Sequence, residues 1–351
     1  MEKLAGTPPR TVFVTGGSGF VGARLIRRLV VGGWAVRALG RSEDALRKVA
    51  ALGAEPVRGD LTDRQALTTG VGGCEVVFHL AAHFKLWGPG ALFDRINVGG
   101  TRAVVEAAVA TQEVRRVVMV SAAAVVMGKP EPMRAVREDA PLQFERYAPY
   151  SASKARAERL LLSANAARAG LETIAVRPPF IWGAGMPTLD EMAHTVAAGR
   201  FRWVDGGGQA MSTCHVDNLC HGLMLAAERG RGGEAYFVSD GRDRTLKSVV
   251  APLLATRGVD PGERAVPFDV AWALAGGMGF AWRALRLDGQ PPMTRQMLRL
   301  IGKDFTIDIA KAMSELRYSP LVTWEEGVAG MRMSDPTLAG GARPSERFAH
   351  L

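Results

Sequence analysis

The sequence predicts a doubly wound α/β fold, a parallel sheet with helices on both faces, followed by a smaller, mostly helical C-terminal lobe. Three observations predict it. Short, apolar, often β-branched runs alternate with helix-like stretches over the first 180 residues, the pattern of a sheet covered on both sides. The first run, Thr11-Val12-Phe13-Val14-Thr15, passes straight into Gly16-Gly17-Ser18-Gly19-Phe20-Val21-Gly22 and an apolar helix. After Pro178-Pro179 the alternation loosens, and Gly183-Ala184-Gly185 and Gly206-Gly207-Gly208 mark loops.

Taken in order, strands are expected at 11–15, 34–39, 55–57, 76–80, 116–121 and 172–176, with helices at 20–31, 43–51, 63–69, 91–110 and 150–168. Beyond these, His215-Val216-Asp217-Asn218 opens a helix that Asp217 or Asn218 can cap, and Tyr236-Phe237-Val238 reads as one more short strand. The nearly uncharged stretch from Val270 to Trp282 is too short to span a bilayer. It reads as a buried helix or a wall of the substrate pocket. Membrane-surface contact is the alternative, because Arg283 and Arg286 flank it. The domain division is an N-terminal extension over 1–10, a dinucleotide-binding domain of Rossmann type over 11–180, a substrate lobe over 181–334 partly interleaved with it, and a poorly ordered tail over 335–351.

Composition narrows the class. The chain has 351 residues, of which 47% are hydrophobic and 23% charged, enough to bury a sizeable core. Cys74, Cys214 and Cys220 are its three cysteines, and they show no metal-ligand spacing, so no metal site and a reducing, cytoplasmic setting are expected. Met1 to Arg10 lacks the apolar core of a signal peptide. The net charge of +9 comes from scattered arginines without interleaved aromatics, which reads as a solvated surface rather than a nucleic-acid site.

The glycine turn has a physical logic. Gly16 permits the tight exit from the strand, Gly19 lets the backbone approach a pyrophosphate, and Gly22 lets the helix pack close. The free N–H groups and positive dipole end of that helix then face the phosphates. The spacing is G-x-x-G-x-x-G. Far downstream, Tyr150 and Lys154 stand four apart, on one face of a helix. A tyrosine hydroxyl beside an ammonium can move a proton at a neighbouring oxygen.

These motifs resemble the extended short-chain dehydrogenase/reductase superfamily over residues 10–330, and most closely its 3β-hydroxysteroid dehydrogenase-like group, which includes bacterial 2-alkyl-3-oxoalkanoate reductases. In order they are Thr15 to Gly22, Gly59-Asp60-Leu61, His79-Leu80-Ala81-Ala82, Asn97-Val98-Gly99-Gly100-Thr101, Tyr150-Ser151-Ala152-Ser153-Lys154, Arg177-Pro178-Pro179 and His215 to Leu219. Glu315-Leu316-Arg317-Tyr318-Ser319-Pro320 follows, with Arg317 where glycine is usual.

The resemblance implies roles. Gly16, Ser18, Gly19, Phe20, Val21 and Gly22 would cradle the cofactor's phosphates. Asp60 and Leu61 would meet the adenine, Ala81 and Ala82 would lie along the cofactor, and Pro178 would sit by the nicotinamide carboxamide. Tyr150 would act as acid/base, with Lys154 lowering its pKa and holding the nicotinamide ribose, and Asn97 would support the lysine through water. His215 is more often structural than catalytic in such a motif. A homodimer is common in the superfamily.

The second strand ends Ala38-Leu39-Gly40-Arg41-Ser42, with no acid at its tip. Arg41 offers a planar donor fork to a 2′-phosphate and Ser42 a hydroxyl. Arg37 is a further candidate cation. The reading is NADP(H) ahead of NAD(H). One usual residue is absent: in Val120-Ser121-Ala122-Ala123-Ala124-Val125-Val126-Met127-Gly128 the position of the catalytic serine or threonine falls on Ala123. Either Ser121 replaces the lost donor, or the substrate carries its own activation, or redox chemistry has been abandoned. His83, Lys85, Trp87, Ala123, Tyr147 and His194 are candidates to face the substrate.

The expected activity is reduction of an apolar ketone or oxidation of a secondary alcohol, such as a steroid, 3-oxoacyl or polyketide-like compound. A nucleotide-sugar epimerase or dehydratase with internal redox cycling is one alternative, and a non-catalytic cofactor-binding regulator or scaffold is another.

Overall fold

The computed structural model describes residues 10–333. The expected tail, and the expected extension before Arg10, lie outside the described residues. Strands β1 (Thr11–Thr15), β2 (Ala35–Gly40), β3 (Glu55–Arg58), β4 (Val76–His79), β5 (Arg116–Val120), β6 (Glu172–Arg177) and β7 (Ala235–Phe237) form one sheet in the order β7-β6-β5-β4-β1-β2-β3. Every pairing in it is parallel. The winding reverses between β1 and β4, which opens a crevice at their C-terminal ends, where such sheets take ligands.

Helices α1 (Phe20–Val31), α2 (Glu43–Ala51), α3 (Arg64–Val71), α4 (Gly99–Ala110), α5 (Pro149–Ser163) and α6 (Val216–Arg229) cover the sheet. Strand alternation divides the core. Val12 and Val14 join Leu25, Ile26 and Leu29 of α1 on one face, while Phe13 joins Leu67, Val104 and Val117 on the other. Ser42 and Asp63 cap α2 and α3 by accepting the N–H groups of Ala45 and Ala66, and Pro149 stands in the first turn of α5.

Some expectations shift. Helix α6 is capped by His215, whose Nδ1 accepts the Asp217 N–H at 3.3 Å, and not by Asp217 or Asn218. Asp217 pairs instead with Arg28 of α1 at 3.3 Å. The expected helix at 91–110 carries a π-helical turn at Asp94–Val98 between Gly90–Phe93 and α4. The helix expected to reach 168 ends at Ser163, where Asn165 turns back to accept the Thr173 N–H. Interleaving goes beyond the division at 180, since β7 and α6 complete the sheet from the second half of the chain.

The lobe adds helices α7 (Phe268–Ala284) and α8 (Arg295–Ile301), further helices at Pro187–Ala197 and Leu246–Ala255, two short strand pairs, and a second sheet of four short strands that also takes in Met133–Val136. Helix α7 is not wholly buried as its uncharged sequence suggests. Phe268, Ala271, Ala275 and Gly279 face inward, while Val270, Leu274 and Phe280 are exposed.

Candidate active site

The glycine turn and the start of the β4 loop meet at the crevice. Gly16 has φ +75°, and a Cβ there would come within 2.7 Å of the Ala81 backbone nitrogen. A Cβ on Gly22 would run into the Gly16 carbonyl oxygen. Only glycine fits either position. Helix α1 has no side-chain cap and no acid in its first turn, so the amides of Phe20, Val21 and Gly22 and the positive dipole end stay open to an anion. Ser18 and Gly19 are exposed above them. This cradle fits a dinucleotide pyrophosphate.

The remaining cofactor candidates stand along the same edge. Arg41 is exposed at the tip of β2 and makes no ion pair among the described residues. The oxygen of Ser42 is used as the α2 cap. Arg37 is engaged elsewhere: it pairs with Glu55 at 3.1 Å and donates to the Gly72 carbonyl at 2.5 Å. Asp60 is exposed and accepts both the N–H and hydroxyl of Thr62, at 2.7 and 2.6 Å, which lowers its pKa. Leu61 packs on Gly100 of α4. Ala81 is half-buried, Ala82 exposed and Pro178 buried. The Pro178 carbonyl accepts the Ala123 N–H at 2.8 Å.

Tyr150 and Lys154 share one face of α5, as their spacing requires. Tyr150 is half-buried, and desolvation raises its pKa above the usual value. Lys154 is buried and donates to the Val120 carbonyl at 2.7 Å. Burial pulls its pKa down to about 8, against an opposing pull from Glu158. One turn below, Glu158 is fully buried in an ion pair with Arg177, whose Nε and Nη2 reach it at 3.0 and 2.5 Å. Ser121 gives its only hydroxyl proton to Glu158 at 2.5 Å. This corrects the expectation that Ser121 replaces the missing donor, because its proton is spent on a buried carboxylate. Ala123 lies at the start of a 3-10 turn, with 1% of its surface exposed.

Asn97 sits in the π turn, a device common at functional sites. Its Oδ1 accepts the His83 N–H at 2.7 Å, and its Nδ2 donates to Ser153 Oγ at 2.9 Å and to the His83 carbonyl at 3.3 Å. It therefore ties the β4 loop to α5. A second chain backs it. Thr101 donates to the Asn97 carbonyl at 2.7 Å, so its oxygen accepts from His79 Nε2 at 3.0 Å. His79 Nδ1 in turn accepts from Thr15 at 2.8 Å, and Thr15 accepts the Ala81 N–H at 3.2 Å. Burial pushes the His79 pKa down to about 3, which keeps the ring neutral and this order intact.

The substrate candidates are spread over the loop after β4, the chain before α5 and the C-terminal lobe. The ring of His83 lies 4.9 Å from Phe93. Lys85 is exposed. Trp87 lies against Gly279 of α7 and under Arg283 at 4.7 Å. Tyr147 donates to the Gly128 carbonyl at 2.7 Å and meets Trp272 of α7 edge-on at 5.2 Å. His194 is exposed on the helix Pro187–Ala197. Two residues missed in the sequence stand closer to Tyr150. Phe84 meets its ring edge-on at 5.0 Å, and buried Gln296 of α8 accepts its backbone N–H at 3.0 Å. Glu158 was legible in principle, four residues beyond Lys154. Gln296, 146 residues from Tyr150 in sequence, left no local signal.

Comparison with known proteins agrees with this geometry. The sequence profile of the 3-beta hydroxysteroid dehydrogenase/isomerase family matches residues 13–268. A 4-hydroxy-2-methyl-3-oxo-4-farnesyl-3,4-dihydroquinoline-1-oxide ketoreductase from Stigmatella aurantiaca is 43% identical, over 95% of this chain and 98% of its own. A 2-alkyl-3-oxoalkanoate reductase from Stenotrophomonas maltophilia is 34% identical, over 92% and 98%. Among solved structures, MoeE5 in complex with UDP-glucose and NAD matches with a TM-score of 0.70 at 25% identity, over 92% of this chain and 98% of its own. The chain thus belongs to the 3-beta hydroxysteroid dehydrogenase/isomerase family and is an NAD(P)-dependent oxidoreductase of the extended short-chain dehydrogenase/reductase type.

Proposed function

We propose that the protein is an NADP(H)-dependent ketoreductase acting on an apolar ketone. The carrying observation is Tyr150, one helical turn before Lys154 on α5, with Phe84 edge-on to its ring at 5.0 Å and the Tyr147–Trp272 ring pair at 5.2 Å just before it in the chain; burial raises its pKa. A protonated phenol is the state a reductase needs, since it must give a proton to the oxygen of the reduced carbonyl. The bound nicotinamide supplies the hydride. Lys154 holds positive charge beneath the site, Glu158 and Arg177 hold α5 against β6, and Asn97 fixes the loop that carries His83 and Phe84. With neither Ala123 nor Ser121 to polarise the carbonyl, the preferred substrate brings its own activation, such as a β-keto group with an internal hydrogen bond. The 43% identical relative, named a ketoreductase of a farnesylated substrate, supports an apolar one.

NADP(H) preference rests on Arg41. Among the described residues it makes no ion pair, while the neighbouring acids are paired, Glu43 with Arg58 and Asp44 with Lys48. Fluorescence titration with NADPH and NADH, followed by a panel of ketones, tests both statements. Tighter NADPH binding that Arg41→Ala weakens at least tenfold, and ketone-dependent NADPH consumption that Tyr150→Phe abolishes, are the expected results. NADPH binding without consumption would favour internal redox cycling.

The outer face of α7 supports contact with an anionic bilayer surface. Phe280 is 74% exposed and Leu285 69%, beside exposed Val270, Leu274 and Leu287, with Arg283 and Arg286 at the same end. An apolar stripe with flanking cations is the chemistry of an interfacial helix. Among the described residues no helix is long and apolar enough to cross a membrane. Flotation with phosphatidylglycerol vesicles should retain the protein, and Leu274→Glu combined with Phe280→Glu should release it. A concentration-dependent dimer that this double variant dissolves would assign the face to a second copy instead.

A further inference from the structure

Helix α5 carries Tyr150 but begins without a side-chain cap of its own. Ala148 stands at the cap position with nothing to offer, and Pro149 has no N–H. The Ala148 N–H goes to the Glu145 carbonyl at 3.0 Å. The first N–H of the helix left to satisfy is therefore that of Tyr150 itself. Its partner comes from 146 residues away, Gln296 Oε1 on α8, at 3.0 Å. Gln296 is fully buried, and the same carboxamide turns its Nε2 to the Lys85 carbonyl at 3.5 Å. An N–H at one end and a carbonyl at the other fix which atom of the amide is oxygen. Helix α8 is anchored in turn. Thr294 caps it by accepting the Met297 N–H at 3.0 Å, and Arg299 Nε donates to the Gly128 carbonyl at 2.9 Å.

These bonds close a ring of contacts around Phe84, which lies edge-on to the Tyr150 ring at 5.0 Å. Both of its chain neighbours are held. Asn97 binds the N–H and the carbonyl of His83 at 2.7 and 3.3 Å, and Gln296 meets the carbonyl of Lys85. Tyr150 is held at both backbone groups as well. Its N–H goes to Gln296, and its carbonyl accepts the Ser153 hydroxyl at 2.8 Å, whose oxygen accepts from Asn97 Nδ2. Two carboxamides thus grip the tyrosine and the loop after β4, Asn97 from the π turn and Gln296 from the C-terminal lobe. With 52% of its surface exposed, Phe84 has little burial to hold it, and the bonds at its flanks decide where its ring stands.

We propose that Gln296 is a positioning residue for Tyr150: the lobe supplies the cap that α5 lacks and, with the same side chain, sets the loop that packs Phe84 on the phenol ring. The inference rests on the reading of Tyr150 as the proton donor to the ketone. A reacting group displaced by about 1 Å can lose about a hundredfold in rate. An apolar side chain at 296 would leave the Tyr150 N–H without its acceptor and the Lys85 carbonyl without its donor. The effect should fall on the step at the phenol and spare the cradle from Gly16 to Gly22, which Gln296 does not touch.

The test compares the full-length wild type with Gln296→Met, similar in length but without the acceptor, and with Gln296→Glu. The glutamate keeps an acceptor at a helix N-terminus, which favours negative charge, and gives up only the bond to Lys85. With NADPH and an apolar β-keto ester as probes, Gln296→Met should lower kcat about tenfold or more, while the ester KM and the NADPH Kd change less than about threefold. Gln296→Glu should recover most of the lost kcat. A wild-type kcat in Gln296→Met, a loss carried by KM or by the NADPH Kd, or no recovery in Gln296→Glu would overturn the proposal. If the wild type consumes no ketone, amide hydrogen exchange at Tyr150 decides. Exchange about tenfold or more faster in Gln296→Met than in the wild type keeps the positioning role while the reductase reading fails, and unchanged exchange overturns the positioning role by itself. Should Gln296→Met fail to fold by circular dichroism, wild-type exchange and Gln296→Glu still decide. A protected Tyr150 amide with kcat kept in Gln296→Glu supports the role, and an amide exchanging at the free-peptide rate overturns it.

Discussion

The Lys154 ammonium is held by the Val120 carbonyl at 2.7 Å, at the C-terminal end of β5, and not by the Tyr150 hydroxyl four residues away. Burial brings its pKa down to about 8, so its charge is present below that pH and lost above it. Ketone reduction should follow: kcat/KM stays level from pH 6 to about 7 and falls tenfold per pH unit well above about 8. The Lys154→Arg variant, less active overall, should lack this alkaline limb, because guanidinium stays charged. A limb in the same place in Lys154→Arg would assign it to another group.

Ser121→Ala should act on stability before chemistry. It removes a donor from buried Glu158, and a buried charged acceptor that loses a partner costs about 1–3 kcal/mol. Chemical denaturation should show that loss, with kcat changed less than threefold. A fall in kcat beyond a hundredfold at unchanged stability would return Ser121 to the reacting oxygen.

Ala123→Ser should restore the donor this chain lacks. A single well-placed donor is worth about 10²–10³ in kcat, so simple unactivated ketones should gain at least tenfold, roughly, while activated β-keto substrates gain less. Equal rates on both substrate types would show that residue 123 does not face the carbonyl.

Arg317 occupies the left-handed region at φ +55°, ending the π turn at Ala312–Leu316. An L-residue pays about 1–2 kcal/mol there and glycine does not, though glycine loses more freedom on folding. Arg317→Gly should stabilise the protein by about 0.5–1 kcal/mol, read as a small rise in Tm. A lower Tm would mean that the exposed Arg317 side chain contributes more than its backbone costs.

The parts of the site legible in the sequence are those written in local spacing. Gly16 and Gly22 are demanded by steric approach inside a single turn, and Tyr150 and Lys154 by one helical repeat. The seven-stranded order was legible only in outline, because β7 lies some sixty residues beyond β6 and nothing local says where a short apolar strand will pair. The Glu158–Arg177 pair, the Arg299–Gly128 bond and the Gln296–Tyr150 bond join distant segments. Their residue types would look ordinary on any helix surface, and only the folded chain shows that they are buried. Val270 to Trp282 misled for the opposite reason: lack of charge signals apolar surroundings without saying whether protein or something else provides them.

The late arrival of β7 has a consequence for biosynthesis. Its neighbour β6 is complete at Arg177, but the edge of the sheet stays unpaired until Phe237 has been made. At about 5–20 residues per second, the nascent chain carries that open edge for several seconds on the ribosome. A translation product halted at 180 would hold every phosphate-binding residue of the glycine turn and still display a bare parallel strand, an invitation to aggregation. The two halves of this enzyme therefore share one sheet, and a first half made alone should be the more prone to aggregate.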